Sequence, residues 1–125
     1  MSYQFYKFFH FFGIALLFTS LGGALVRGML KDEAKNAQVR KLITISHGIA
    51  LLLILVAGFG MLARTGTSMT APWIYIKLFI WFLLGGVLAL IHRVRGTAST
   101  VLWILLPILA AISGYVAISK PFTPL

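Results

Sequence analysis

The sequence predicts an all-α integral membrane protein, a bundle of four transmembrane helices in one domain spanning residues 1–125, and three observations carry that prediction. Hydrophobic residues make up 60% of the chain, only 2 acids stand against 11 Lys and Arg, and the uncharged stretches are long and unbroken. A soluble domain of this size would have too little polar surface to cover so apolar a core, so the bilayer is the solvent this composition fits. Runs such as Ile49 to Val56 are continuously apolar, whereas the strands of a membrane β-barrel alternate.

Each helix follows from the spacing of the cations. Between Lys7 and Arg27 lie 19 uncharged residues, between Lys41 and Arg64 another 22, and between Arg95 and Lys120 another 24. Each run covers a hydrocarbon core of about 30 Å at ~1.5 Å per residue. They give spans at about 5–26, 43–63 and 99–118. The third span, about 72–92, has to contain Lys77, because the 15 residues from Leu78 to His92 would reach only about 22 Å. Pro72 suits a first helical position, and Trp73 and Tyr75 suit an interface beside it. The first span reads as a retained helix, since a single basic residue precedes it and no Ala-x-Ala type cleavage site follows.

The charged segment 27–42 is expected to be a cytoplasmic loop, with the apolar residues Met29, Leu30, Ala34 and Val39 suiting a short interfacial helix. It carries Arg27, Lys31, Lys35, Arg40 and Lys41, and the next loop on that side carries Arg93 and Arg95. The positive-inside tendency then puts both termini on the non-cytoplasmic side, and a bacterial inner membrane is the expected location. Because topology accounts for these cations, no nucleic-acid partner is expected. The partner is the lipid bilayer.

Absent residues narrow the chemistry. Without Cys the chain has no disulfide, thiolate zinc site, iron-sulfur cluster or covalent c-type haem. Its two acids, Asp32 and Glu33, are adjacent in the charged segment, so no carboxylate lies at depth to relay protons or hold a di-iron centre. That leaves His10, His47, His92 and Lys77 as the ionisable groups within the spans, apart from phenols. On the helical rise, His10 lies about 9 Å and Lys77 roughly 8 Å to the outer side of the midplane. His47 lies about 9 Å and His92 roughly 15 Å to the cytoplasmic side. That offset argues against a haem shared by His10 and His47 unless the helices tilt strongly. Two sites remain: an outer one on His10 and Lys77, and an inner one on His47 with His92 as its neighbour in depth.

Small residues mark where helices approach closely, including Thr19 with Gly23, Gly58 with Gly60, Gly85 with Gly86, and Ala110 with Gly114. Gly13 falls on nearly the same helix face as His10, where a flat cofactor on a His ligand would need a neighbour without a side chain. His10 itself is flanked by Phe8, Phe9, Phe11 and Phe12, so its imidazole needs coordination or a hydrogen-bond acceptor.

Two segments carry a resemblance to a known family. Lys7, Phe9, His10, Gly13 and Ile14, followed by Leu25, Val26 and Arg27, resemble the first helix of the HemJ family of small membrane protoporphyrinogen oxidases. Trp73 to Leu78 resembles that family's Trp-Leu-x-x-Lys-Leu motif at the start of its third helix. The run His47 to Gly58, with Pro72 and Trp73 to Leu78, is also similar to the SirB family of small membrane proteins. The chain departs from the HemJ pattern at Gly85, Gly86 and Val87, where the family has an aromatic-His pair, and in having no Trp in the middle of its first helix.

The HemJ resemblance implies haem b as cofactor, His10 as an axial ligand and Lys77 as the residue required for function, with porphyrin and a membrane quinone as partners. His47 is the further cofactor-binding candidate. The alternative is a non-catalytic accessory subunit or assembly factor, working as a homo-oligomer or within a larger membrane complex.

Overall fold

The computed structural model describes residues 2–29, 33–93 and 97–119, and side-chain surroundings over 2–27, 38–93 and 98–119. The described chain is all-helical: α1 (Tyr3–Met29), α2 (Glu33–Thr65), α3 (Pro72–Arg93) and α4 (Thr97–Ser119). All four are long and apolar enough to cross a membrane, over Tyr3–Arg27, Gln38–Thr65, Pro72–Arg93 and Ala98–Ser119.

One boundary differs from expectation. Helix α1 runs on to Met29 and α2 begins at Glu33, so most of the segment expected as a loop is the first three turns of α2. Its residues from Glu33 to Lys41 are largely strong helix formers, with neither Gly nor Pro among them, and charge alone does not break a helix. The side chains of Lys31, Asp32, Glu33, Lys35, Arg95 and Lys120 lie outside the described residues.

Local chemistry sets the other ends. Ser2 caps α1, its Oγ accepting from the Phe5 N–H at 3.2 Å. Helix α2 stops at Gly66, whose φ of 67° suits glycine, and the Thr67 N–H returns to the Leu62 carbonyl at 3.2 Å in a Schellman closure. Pro72 then opens α3 where no amide donor is required.

Helices α1 and α2 form the closest pair, an antiparallel hairpin held in register by glycines. A side chain added at Gly13 would come within 3.0 Å of Leu53 Cβ and 3.1 Å of the Ile54 backbone nitrogen. The Tyr6 ring takes up the side-chain space at Gly60, and Ile43 packs on Gly23. Small residues thus let the two backbones approach, as the sequence predicts for such positions.

Helix α3 closes on this hairpin through a stripe at three- and four-residue spacing: Trp73, Ile80, Leu84, Leu88 and Ile91 are buried. Together with Leu17, Leu21 and Leu25 of α1, Ala50 of α2 and Leu106 of α4, the last four form the main core. A smaller cluster of Trp73, Ile74 and Val116 seals the end near the α2–α3 turn. Large apolar side chains such as Leu52, Val56, Phe79, Phe82 and Ile118 cover the outside, as a lipid-facing surface requires.

Candidate functional site

The site with the most chemistry is built on α1, where His10 faces α2. Its imidazole packs over Gly58, where an added Cβ would stand 3.4 Å from the ring, and its Nδ1 lies 3.0 Å from the Ile54 carbonyl oxygen. Ile54 and Gly58 are one helical turn apart, so the same turn of α2 supplies both the acceptor and the gap that admits the ring. A carbonyl only accepts, so Nδ1 carries the proton and donates. The neutral ring then presents its lone pair at Nε2, the arrangement commonly found in metal-ligating histidines whose other nitrogen is tied to the backbone.

Lys77 approaches from α3. It falls four residues after Trp73 and three before Ile80, on the stripe that faces the bundle, and is half-buried. Its position makes it an inward-facing residue, unlike a lysine that reaches the interface along lipid. No hydrogen bond or ion pair joins Lys77 to another described residue. His10 on α1 and Lys77 on α3 are thus both half-buried residues of the helix bundle.

The other expected residues have different settings. Gly13 opens no cradle beside His10, because Leu53 and Ile54 fill the space its missing side chain leaves. Any planar group held at His10 has to lie outside the α1–α2 seam. His47 is buried at 4% exposure and donates from Nε2 to the Leu84 carbonyl at 3.0 Å, which places its lone pair on Nδ1. It lies seven residues before Ile54 on α2, about 10 Å along the axis, so His10 and His47 are separate sites. His92 stands 3.3 Å from Arg27 through Nδ1, bridging the ends of α3 and α1. Its position eight residues beyond Leu84, about 12 Å along α3, separates it from His47.

Sequence reasoning misses one polar residue. Trp81 donates its indole N–H to the Leu51 carbonyl at 3.1 Å, one turn of α3 after Lys77. A tryptophan in the middle of a span, away from both interfaces, is the signal that it needs an internal acceptor.

As a donor set, the site fits one axial bond to a metal already held by another ligand, with a cation beside it. Among the described residues no group of three His, Asp, Glu or Cys is placed to hold a bare metal ion. Comparison with protein-family models, with curated proteins and with solved structures gives no match.

Proposed function

We propose that the chain is a small haem b-binding protein of the bacterial inner membrane, with both termini on the non-cytoplasmic side. His10 would hold the iron, and Lys77 would be the cation that meets a porphyrin propionate. One observation carries this reading: the His10 Nδ1–H is committed to the Ile54 carbonyl, leaving Nε2 as an acceptor with a fixed direction.

Bound haem b would supply one-electron redox chemistry. On the HemJ resemblance, the reaction is oxidation of protoporphyrinogen IX to protoporphyrin IX, with electrons leaving for a membrane quinone. This chain's residues bind and orient. Ile54 holds the His10 tautomer, and Lys77 attracts the substrate's carboxylates and, lacking an acidic neighbour among the described residues, moves a proton through its own ammonium. A propionate beside Lys77 would offset the cost of holding a charge on the bundle-facing stripe.

Absorption spectra of the purified protein, oxidised and reduced, test the cofactor. The expected result is a Soret band that disappears in His10→Ala and survives in His92→Ala. A colourless but fully folded protein rules haem out, and its recovery in a stable complex with a larger membrane partner would replace this reading with that of an accessory subunit. Activity is tested by restoring porphyrin oxidation in cells lacking their own oxidase. Restoration that survives Lys77→Ala would remove Lys77 from the mechanism.

A further inference from the structure

Helices α3 and α4 leave an open groove of about 330 Å³ on the side away from the α1–α2 hairpin, lined by Leu83, Gly86 and Leu90 and by Leu102, Leu105 and Leu109. Nothing polar lines it. Gly86 forms its floor, and a side chain there would meet nothing within 4 Å. From Leu83 to Leu90 the groove runs about 10 Å along α3.

The same face of α3 continues to Arg93, three residues past Leu90 and exposed. On the facing helix the next position along the groove, four residues before Leu102, is the small and exposed Ala98. Arg93 therefore stands on the helix face that lines the trench, about one turn beyond Leu90. An apolar channel that ends on a cation complements an amphiphile with an alkyl chain and an anionic head.

We propose that this groove is a phospholipid site for an anionic headgroup, one acyl chain lying over Gly86 between Leu90 and Leu102 with its phosphate on Arg93. The inference rests on the membrane-spanning part of the reading above and is independent of haem. A second copy of the chain is the poorer occupant. A two-fold axis through the groove, parallel to the helices, would set two Arg93 side chains against each other.

The test is native mass spectrometry of the full chain in mild detergent, titrated with phosphatidylglycerol and, separately, with phosphatidylcholine. The expected result is one phosphatidylglycerol retained at concentrations where phosphatidylcholine is lost. Arg93→Gln should weaken the first about fivefold and the second by less, because choline offsets the phosphate charge, in keeping with the contribution of one basic side chain near an anionic surface. Gly86→Leu fills the groove and should abolish both, with helicity checked by circular dichroism. If that variant misfolds, the surface variant Arg93→Gln decides alone. Equal retention of the two lipids, an unchanged Arg93→Gln, or disulfide dimers of Leu105→Cys through this face would overturn the proposal. Release of the chain from membranes by alkaline carbonate would overturn the membrane reading, and the lipid site with it.

Discussion

His47 and Trp81 clasp their helices reciprocally: His47 of α2 donates to the Leu84 carbonyl of α3, and Trp81 of α3 donates to the Leu51 carbonyl of α2. Donor and acceptor are one turn apart on each helix, so the two bonds oppose sliding as well as separation. The α2–α3 contact is otherwise sparse, which concentrates its specificity in these two groups.

Trp81→Phe keeps most of the ring and removes the donor. Interhelical hydrogen bonds in membrane proteins contribute about 0.6–1.7 kcal/mol, so the variant should lose roughly 1 kcal/mol of unfolding free energy. His47→Leu should lose more, since His47 is buried at 4% exposure whereas Trp81 is half-buried, and a bond lost in the drier place costs more. A double-mutant cycle in mixed micelles, followed by far-UV circular dichroism, checks both. Additive losses would show two independent bonds, and coupling of at least 0.5 kcal/mol, roughly, would show one clasp.

The four long apolar helices were legible because uninterrupted apolar runs bounded by cations leave few other readings. The partners of the polar groups were not legible. Ile54, Leu51 and Leu84 act through backbone carbonyls, which every residue possesses and no sequence pattern marks. The start of α2 was hidden for a different reason: the charges from Glu33 to Lys41 suggest a loop, while the same residues are good helix formers. Glycine positions were visible, yet only the packing separates Gly13, pressed on α2, from Gly86 and Gly114, which face open space.

That contrast yields a second prediction. Gly13→Ala must push against Leu53 Cβ and the Ile54 backbone at 3.0 and 3.1 Å, and the backbone atom cannot rotate away. Overpacking of this kind costs about 1–3 kcal/mol. Gly114→Ala meets nothing and removes a flexible residue from a helix, so it should be neutral or stabilising by up to ~1 kcal/mol. Thermal unfolding in one detergent compares the two. Equal effects would mean that the α1–α2 seam is looser than its geometry indicates.

Lys77 predicts opposite signs for stability and binding. A cation on the bundle-facing stripe, with no ion pair to another described residue, destabilises the empty protein, so Lys77→Met should raise its unfolding free energy by about 1–3 kcal/mol. If Lys77 meets a propionate, the same change should weaken porphyrin binding, while Lys77→Arg preserves it. Fluorescence titration with protoporphyrin IX, set beside the unfolding data, reads both. A lysine that only reached for the interface would show neither effect.

The sharpest test of the His10 geometry leaves His10 in place. A Cβ at Gly58 would already touch the imidazole, 3.4 Å from Cε1 and 3.5 Å from Nδ1, so the branched side chain of Gly58→Val has to displace the ring, whereas Gly58→Ala only makes contact with it. In Gly58→Val the Nδ1–H bond to Ile54 should then lengthen, and the nitrogen that faces away should lose its fixed direction and part of its basicity. For a haem ligand the consequence is a Soret band that persists with weaker haem retention, by about 10- to 100-fold for a disturbed outer-shell partner. His10→Ala should remove the band altogether. Should Gly58→Val reduce thermal stability but leave haem retention and the spectrum untouched, the Ile54 bond would be serving the helix hairpin alone and the ligand would have to be sought elsewhere.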